Sequence, residues 1–390
     1  MKPLRGVVVI GLALVGFASA IIVAAPAGPA DAAPEMEPRP LPRTAPDPVE
    51  NPATPDKIAL GRLLFFDPVL SSSRDVSCAT CHDPRHGWAD SRPTPIGVGG
   101  SGAGPGRVFT GSAPEPLLPR NTPTLLDVGF NGLVSGAGPD PSEAPMFWDS
   151  RVSGLERQMP VPLRTPGEMC AGPCEGDDAM DGAVRRVRAI PGYREKFRAA
   201  FGGSDAGAVD PTRLARAIAA FERSLVARPT PVDRFLAGDT AALDAAQRQG
   251  LRAFRDAGCI HCHGGPMFSD FKAHVVDVAG ASGSGSGPRA FRTPSLRNLR
   301  HTAPYMHDGR LRTLRDVLVF YDDLAEAVSE TSDGGVAAGH VPLDPLLARL
   351  RLSPEDFPAL EAFLDALSTD GFDRTIPASV PSGLPVLGAR

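Results

Sequence analysis

The sequence has no surplus of positive charge: the formal total is −5 and only 22% of residues are charged. A partner that must be gripped by neutralising phosphates, as nucleic acid is, is therefore excluded. Sustained strand-like alternation is missing, which leaves no basis for a large sheet. The glycines have no period of three, so a collagen repeat is ruled out. No cysteine closes the apolar N-terminal run, which argues against a lipoprotein. What the chain has in excess is glycine and proline, 42 of each in 390 residues, more than a fifth of the whole. Both disfavour helix and strand interiors. A long coiled coil or a polytopic membrane protein is thereby excluded, and long loops around a modest helical framework are predicted.

Lys2 and Arg5 precede an uncharged stretch over 6–30, with small residues at Ala18, Ser19 and Ala20 and again at Ala32 and Ala33. This is the layout of an export signal over 1–33. An uncleaved membrane anchor is the alternative, since the run approaches the ~20 residues that span a bilayer. Either way the mature chain faces an oxidising compartment, the periplasm, where disulfides persist. Residues 34–55 are proline-rich and read as an extended tether. A helix carrying Ile58, Leu60, Leu63, Leu64 and Phe65 then opens the folded part. Further helical blocks are predicted over 183–225, broken near Pro191 and Gly202-Gly203, and over 241–257, 311–327 and 354–367. Loops fall at 97–120, 132–145, 279–289 and 328–342. The division predicted is a domain over 56–235, a second over 236–375 and a tail over 376–390.

Four of the six cysteines lie in two copies of one motif, Cys78-Ala79-Thr80-Cys81-His82 and Cys259-Ile260-His261-Cys262-His263. Two thiols at this spacing add to the vinyl groups of one haem, and the histidine reaches back to its iron. A thioredoxin-like pair needs no histidine and would not be expected twice. Zinc would need four ligands gathered from both motifs or from elsewhere. Two covalently bound haems c are the reading. Function then turns on the sixth position of each iron, because two strong protein ligands give electron transfer whereas an open position binds peroxide or oxygen. His86 follows His82 by four residues, too short a loop to carry a side chain around the macrocycle, and is assigned to the surroundings. Met267 fails for the second iron by the same geometry. His274, His301, Met306, His307 and Tyr321 stay open as its ligand.

The segments Leu60-Gly61-Arg62-Leu63-Leu64-Phe65-Phe66-Asp67, Arg120-Asn121-Thr122-Pro123-Thr124, Phe147-Trp148-Asp149, Phe291-Arg292-Thr293-Pro294-Ser295-Leu296-Arg297-Asn298 and Thr302-Ala303-Pro304-Tyr305-Met306-His307-Asp308-Gly309 resemble the bacterial dihaem cytochrome c peroxidases, in the right order over 56–370. That superfamily includes MauG, which oxidises tryptophans of a protein substrate. The resemblance implies a mainly α fold of two cytochrome c-like haem domains with long glycine- and proline-rich loops. It implies that Tyr321, 14 residues past His307, takes the place of the peroxidases' methionine ligand, as in MauG. Gln158 and Glu168, ten and twenty residues past Trp148, match the family's glutamine and catalytic glutamate. Pro162 matches a pocket-lining proline, and Trp148 an oxidisable relay between the haems. Asn121, Thr302 and Pro304 match a calcium site, whose hard oxygens suit that ion. The blocking histidine of reductively activated members has no counterpart, because His86-Gly87-Trp88 sits too close to His82.

Cys170 and Cys174 have no following histidine, and a local disulfide is the expected outcome, with free thiols or a metal site as alternatives. Three functions follow. The first is peroxide reduction with electrons from a cytochrome c or cupredoxin. The second is MauG-like oxidation of a partner protein, and the third is electron transfer alone. A homodimer is compatible with each.

Overall fold

A computed structural model describes residues 36–111, 118–135, 138, 140–172, 174, 178–203, 207–276, 290–330 and 343–388. The expected export signal and most of the loops at 279–289 and 328–342 lie outside these residues. The helices are α1 (Pro55–Phe66), α2 (Leu155–Gln158), α3 (Pro160–Arg164), α4 (Asp178–Ala189), α5 (Pro191–Phe201), α6 (Pro211–Arg223), α7 (Pro231–Leu236), α8 (Ala245–Asp256), α9 (Leu314–Glu330) and α10 (Phe357–Ala366). Strands among the described residues amount to three two-residue hairpins, Gly100–Ser101 with Val108–Phe109, Pro145–Met146 with Val152–Ser153, and Ala273–His274 with Phe291–Arg292. The architecture is mainly α, as the patterning predicts. Among these residues no helix is long and apolar enough to cross a membrane.

Five of the prolines begin α-helices instead of forming loops. Pro55, Pro160, Pro191, Pro211 and Pro231 each occupy the first turn, where the missing N–H would have no intrahelical partner. Side-chain caps add to this: Asp210 accepts from the Arg213 N–H at 2.8 Å, and Thr230 with Asp233 forms a capping box. The short α2, α3 and α7 have too few turns for a periodicity to register, and the sequence pattern does not predict them.

Two apolar clusters divide the body. The first gathers Leu64, Phe65, Trp88, Tyr193, Ile218 and Phe221 with Cys78 at its edge; the second gathers Val232, Phe254, Phe268, Leu360 and Phe363 with Cys259 at its edge. Each is organised by one helix crossing. A Cβ at Gly61 of α1 would collide with the Ala217 carbonyl of α6, and one at Gly250 of α8 would collide with the Ala359 carbonyl of α10. Only glycine permits that approach.

The proline-rich segment is not a free tether over its described part. Leu41 is buried with Phe130, Leu133 and Met267, and its N–H donates to Asp233 Oδ1 at 2.9 Å. Asn51, fully buried, donates to Glu156 Oε1 at 2.8 Å. The tail is likewise packed: Val380 joins the first cluster and Ser382 Oγ donates to Asp67 Oδ1 at 2.7 Å. α7 straddles the expected boundary between 235 and 236, and its Val232, on the N-terminal side, packs in the second cluster. Contacts between distant stretches decide all three, and composition carries no record of them.

Candidate active site

Each Cys-x-x-Cys-His motif is a single 3₁₀ turn, Cys78–Thr80 or Cys259–His261, that folds the histidine back. The His82 N–H donates to the Cys78 carbonyl at 3.0 Å and the His263 N–H to the Cys259 carbonyl at 2.9 Å. The rings are then aimed identically: His82 Nδ1 lies 3.1 Å from the Trp88 carbonyl and His263 Nδ1 3.1 Å from the Phe268 carbonyl. A carbonyl only accepts, so Nδ1 carries the proton and Nε2 is left as the basic nitrogen for a metal. Burial pushes the His82 imidazole down to about 4, against the opposing carbonyls of Trp88 and Pro123, and also lowers His263. Both rings are neutral at pH 7.

The four motif cysteines are unpaired, whereas Cys170 and Cys174 form a disulfide with Cα atoms 6.2 Å apart. Free thiols at this spacing beside an oriented imidazole fit covalent haem attachment. Burial raises all four thiols, Cys259 and Cys262 to about 12.

Around the first motif the structure gathers α2, α3 and the turn that follows. Gln158 ends α2, Pro162 lies in α3, and Glu168 follows in the turn over 165–170. That turn is held on both sides. The Val98 N–H is shared between the Gly167 and Glu168 carbonyls at 3.1 and 3.2 Å, and the Ser72 N–H donates to the Met169 carbonyl at 3.0 Å. The disulfide begins two residues on. Burial raises the Glu168 carboxyl, opposed by Arg151 and Thr165, and its charge in turn raises Cys78 and Cys81, which places it within electrostatic reach of the first cysteine pair. A second acid reaches Cys78: Glu222 of α6 is buried, its Oε2 has no hydrogen-bond partner among the described residues, and burial pushes it up to about 8. Nothing in the sequence pattern singles Glu222 out.

Tyr321 lies on α9 at the second motif. Burial raises its phenol, and the Cys262 and Cys259 sulfurs raise it further, which places it within their electrostatic reach. The three histidines among the other open candidates are engaged elsewhere. His274 is clamped between Asp344 and Asp270 at 2.6 and 2.9 Å, His301 Nε2 meets the Thr369 carbonyl at 3.1 Å, and His307 stacks on Phe291 at 4.0 Å. Cys262, Asp270 and His274 come close enough to hold a metal, but both nitrogens of His274 already have carboxylate partners. Met267 is buried in a separate apolar cluster. His86 faces Asp83 at 3.6 Å.

Trp148 joins the two halves: its Nε1 donates to the Asn121 carbonyl at 2.8 Å, and its own carbonyl accepts from the Arg292 N–H at 2.7 Å. The Asn121 N–H donates to the His307 carbonyl at 2.8 Å, which brings Asn121 to the loop carrying Thr302 and Pro304. The Asn121 amide donates to the carbonyls of Arg92 and Pro93 at 3.0 and 3.2 Å.

The sequence model described as di-haem cytochrome c peroxidase matches residues 55–241. A methylamine utilization protein MauG of Methylorubrum extorquens is 37% identical over 291 residues, covering 72% of each chain. The cytochrome c551 peroxidase of Pseudomonas aeruginosa is 31% identical over 347 residues, covering 85% of this chain and 84% of that protein. Among solved structures, a MauG-like protein associated with microbial copper homeostasis is 28% identical with a TM-score of 0.63, covering 87% of this chain and 95% of the other.

Proposed function

Because the chain belongs to the di-haem cytochrome c peroxidase/MauG family and is an oxidoreductase of the peroxidase type, we propose that it reduces hydrogen peroxide to water beside the first motif, with electrons that enter through the second. The observation that carries this reading is Glu168, a buried carboxyl within electrostatic reach of Cys78 and Cys81 on a turn pinned from two sides. Two haems c, held by Cys78, Cys81 and His82 and by Cys259, Cys262 and His263, supply the one-electron chemistry. Residues 56–235 and 236–375, with the packing noted above, are the two haem-centred domains.

Reduction of peroxide takes two electrons and two protons and releases two waters. Glu168 takes the proton from the inner oxygen and returns it to the outer one, which then leaves as water. Its raised affinity for protons suits an acid–base role. Gln158 orients the peroxide by hydrogen bonding and Pro162 narrows the entrance. Trp148, bonded to both halves, relays electrons between them. Tyr321 would help His263 hold the second haem, and its phenol oxygen would lower that centre's potential relative to a methionine ligand. Asn121, Thr302 and Pro304 hold a calcium ion at the junction. Export through residues 1–33 places the enzyme in the periplasm, where a cytochrome c or cupredoxin is the donor.

Tyr321 favours a second reading, in which a partner protein supplies the electrons and is itself oxidised, as in the MauG relatives. One experiment separates them: hydrogen peroxide is mixed with the diferric holoprotein with and without reduced cytochrome c, and the spectrum is followed. Multiple turnover with donor oxidation is expected. A long-lived oxidised state that ignores the donor supports the second reading, and absence of any reaction defeats both.

A further inference from the structure

The loops that orient the two histidines are copies of one another, and they meet. Thr122-Pro123-Thr124-Leu125-Leu126-Asp127 corresponds position by position to Thr293-Pro294-Ser295-Leu296-Arg297-Asn298. In each, the third residue donates to the carbonyl just before the one that holds the histidine: Thr124 Oγ1 to Gly87 at 2.5 Å, Ser295 Oγ to Met267 at 2.7 Å. Each loop ends at φ 62°, a left-handed conformation that aspartate and asparagine tolerate, and runs into a 3₁₀ turn, Val128–Phe130 or Leu299–His301. The two end residues touch, Asn298 Nδ2 donating to Asp127 Oδ2 at 3.0 Å. Asp127 Oδ1 accepts from the Ala227 N–H at 2.8 Å, and Asn298 Oδ1 from the Thr369 N–H at 3.3 Å. Both side chains are buried, 1% and 0% exposed.

We propose that the Asp127–Asn298 pair is one positioning element for both histidines, locking the two loops in register so that neither imidazole turns independently of it. The inference rests on the reading of His82 and His263 as haem ligands. Toward His82 the path is short: the Trp88 carbonyl that holds the ring also accepts the Leu125 N–H at 3.1 Å, two residues before Asp127. Toward His263, Arg297 precedes Asn298, and its Nε donates at 2.7 Å to the Pro266 carbonyl, two residues before Phe268. A buried polar pair with every donor and acceptor matched specifies one arrangement, because any slip leaves a group unpaired. Arg297 also forms a two-pronged pair with Asp233 at 2.9 and 3.1 Å, so its side-chain hydrogen bonds run to Asp233 and the Pro266 carbonyl and, among the described residues, none runs to the first loop.

A reciprocal exchange tests the pair. Asp127→Asn sets an amide N–H against the Ala227 N–H or the Asn298 amide, and Asn298→Asp sets two carboxylates together. The double variant restores each hydrogen bond with the partners exchanged. Haem content per chain and the electron paramagnetic resonance g-values of both ferric haems are measured in the holoprotein. Two haems per chain in the wild type sustain the reading of the ligands, and fewer would defeat that reading separately. Each single variant is expected to shift both sets of g-values, the double to return both toward wild type, and Arg297→Lys to move only the set belonging to His263. Single variants that lower thermal stability with unmoved g-values, or a double that does not restore them, overturn the proposal. Should a single variant fail to fold, the double and Arg297→Lys still decide.

Discussion

The crossing of α1 with α6 and that of α8 with α10 make the same close approach through Gly61 and Gly250, against Phe221 in one half and Phe363 in the other. The next residue is Glu222 in the first half and Leu364 in the second, and both are buried. The contrast recurs throughout. What holds the histidine is duplicated: the 3₁₀ cysteine turn, the carbonyl acceptor at 3.1 Å, and the Thr-Pro loop. What surrounds the cysteines is not. The first pair has the buried acid Glu168 within reach of both sulfurs and Glu222 within reach of Cys78, whereas the second has the phenol of Tyr321 and, at Cys262 alone, the carboxylates Asp270 and Asp344 that clamp His274. A shared frame fixes the ligand, and the unshared additions assign each half its task.

The sharpest way to break this contrast is Glu168→Gln. It removes the proton carrier from one half only, so peroxide turnover should fall by about 10²–10⁴-fold while haem content and both resting spectra stay unchanged. A loss below tenfold in steady-state assays would mean the first half does not owe its chemistry to this acid.

Glu222 gives the next largest effect. Its proton affinity is raised on folding from 4.5 to about 8, so its stabilising contribution is complete below pH 4.5 and declines as pH rises toward 8. Each unit of that span is about 1.4 kcal/mol, roughly 5 kcal/mol in total as an upper figure. Glu222→Leu copies the second half and should lessen the fall in urea-melt stability between pH 5 and pH 8, leaving the share of Asp90 and Asp127, which burial raises to about 7. A wild-type curve already flat there would remove the buried acid from the comparison.

The smallest expected effect probes the shared frame itself. Gly61→Ala and Gly250→Ala each force a methyl group into a backbone carbonyl, at about 1–3 kcal/mol. Calorimetric melting should show similar losses for the two. A loss confined to one variant would show that the crossings are not equivalent.

The haem motifs, the main helices and the Cys170–Cys174 bridge were legible because each is written in neighbouring residues of distinctive type. Glu168 and Tyr321 became readable only by counting from Trp148 and His307, since the intervening turns have no signature of their own. The carbonyls of Trp88 and Phe268 were invisible, because a backbone oxygen acts the same way whatever side chain it carries. Glu222 was hidden inside an ordinary amphipathic helix, where an acid next to Arg223 reads as surface. Prolines were taken for loops because composition counts them without position, although five of them open helices.

The packed C-terminal tail sets an order of events. Trp88, whose carbonyl aims His82, is itself fixed by its indole N–H to the Asp373 carbonyl at 2.7 Å, and Arg62 of α1 pairs with the Asp373 side chain. A chain made from its N-terminus therefore cannot complete the setting of its first motif until Asp373 has emerged. A truncation near residue 372 would be felt about 290 residues upstream, at His82.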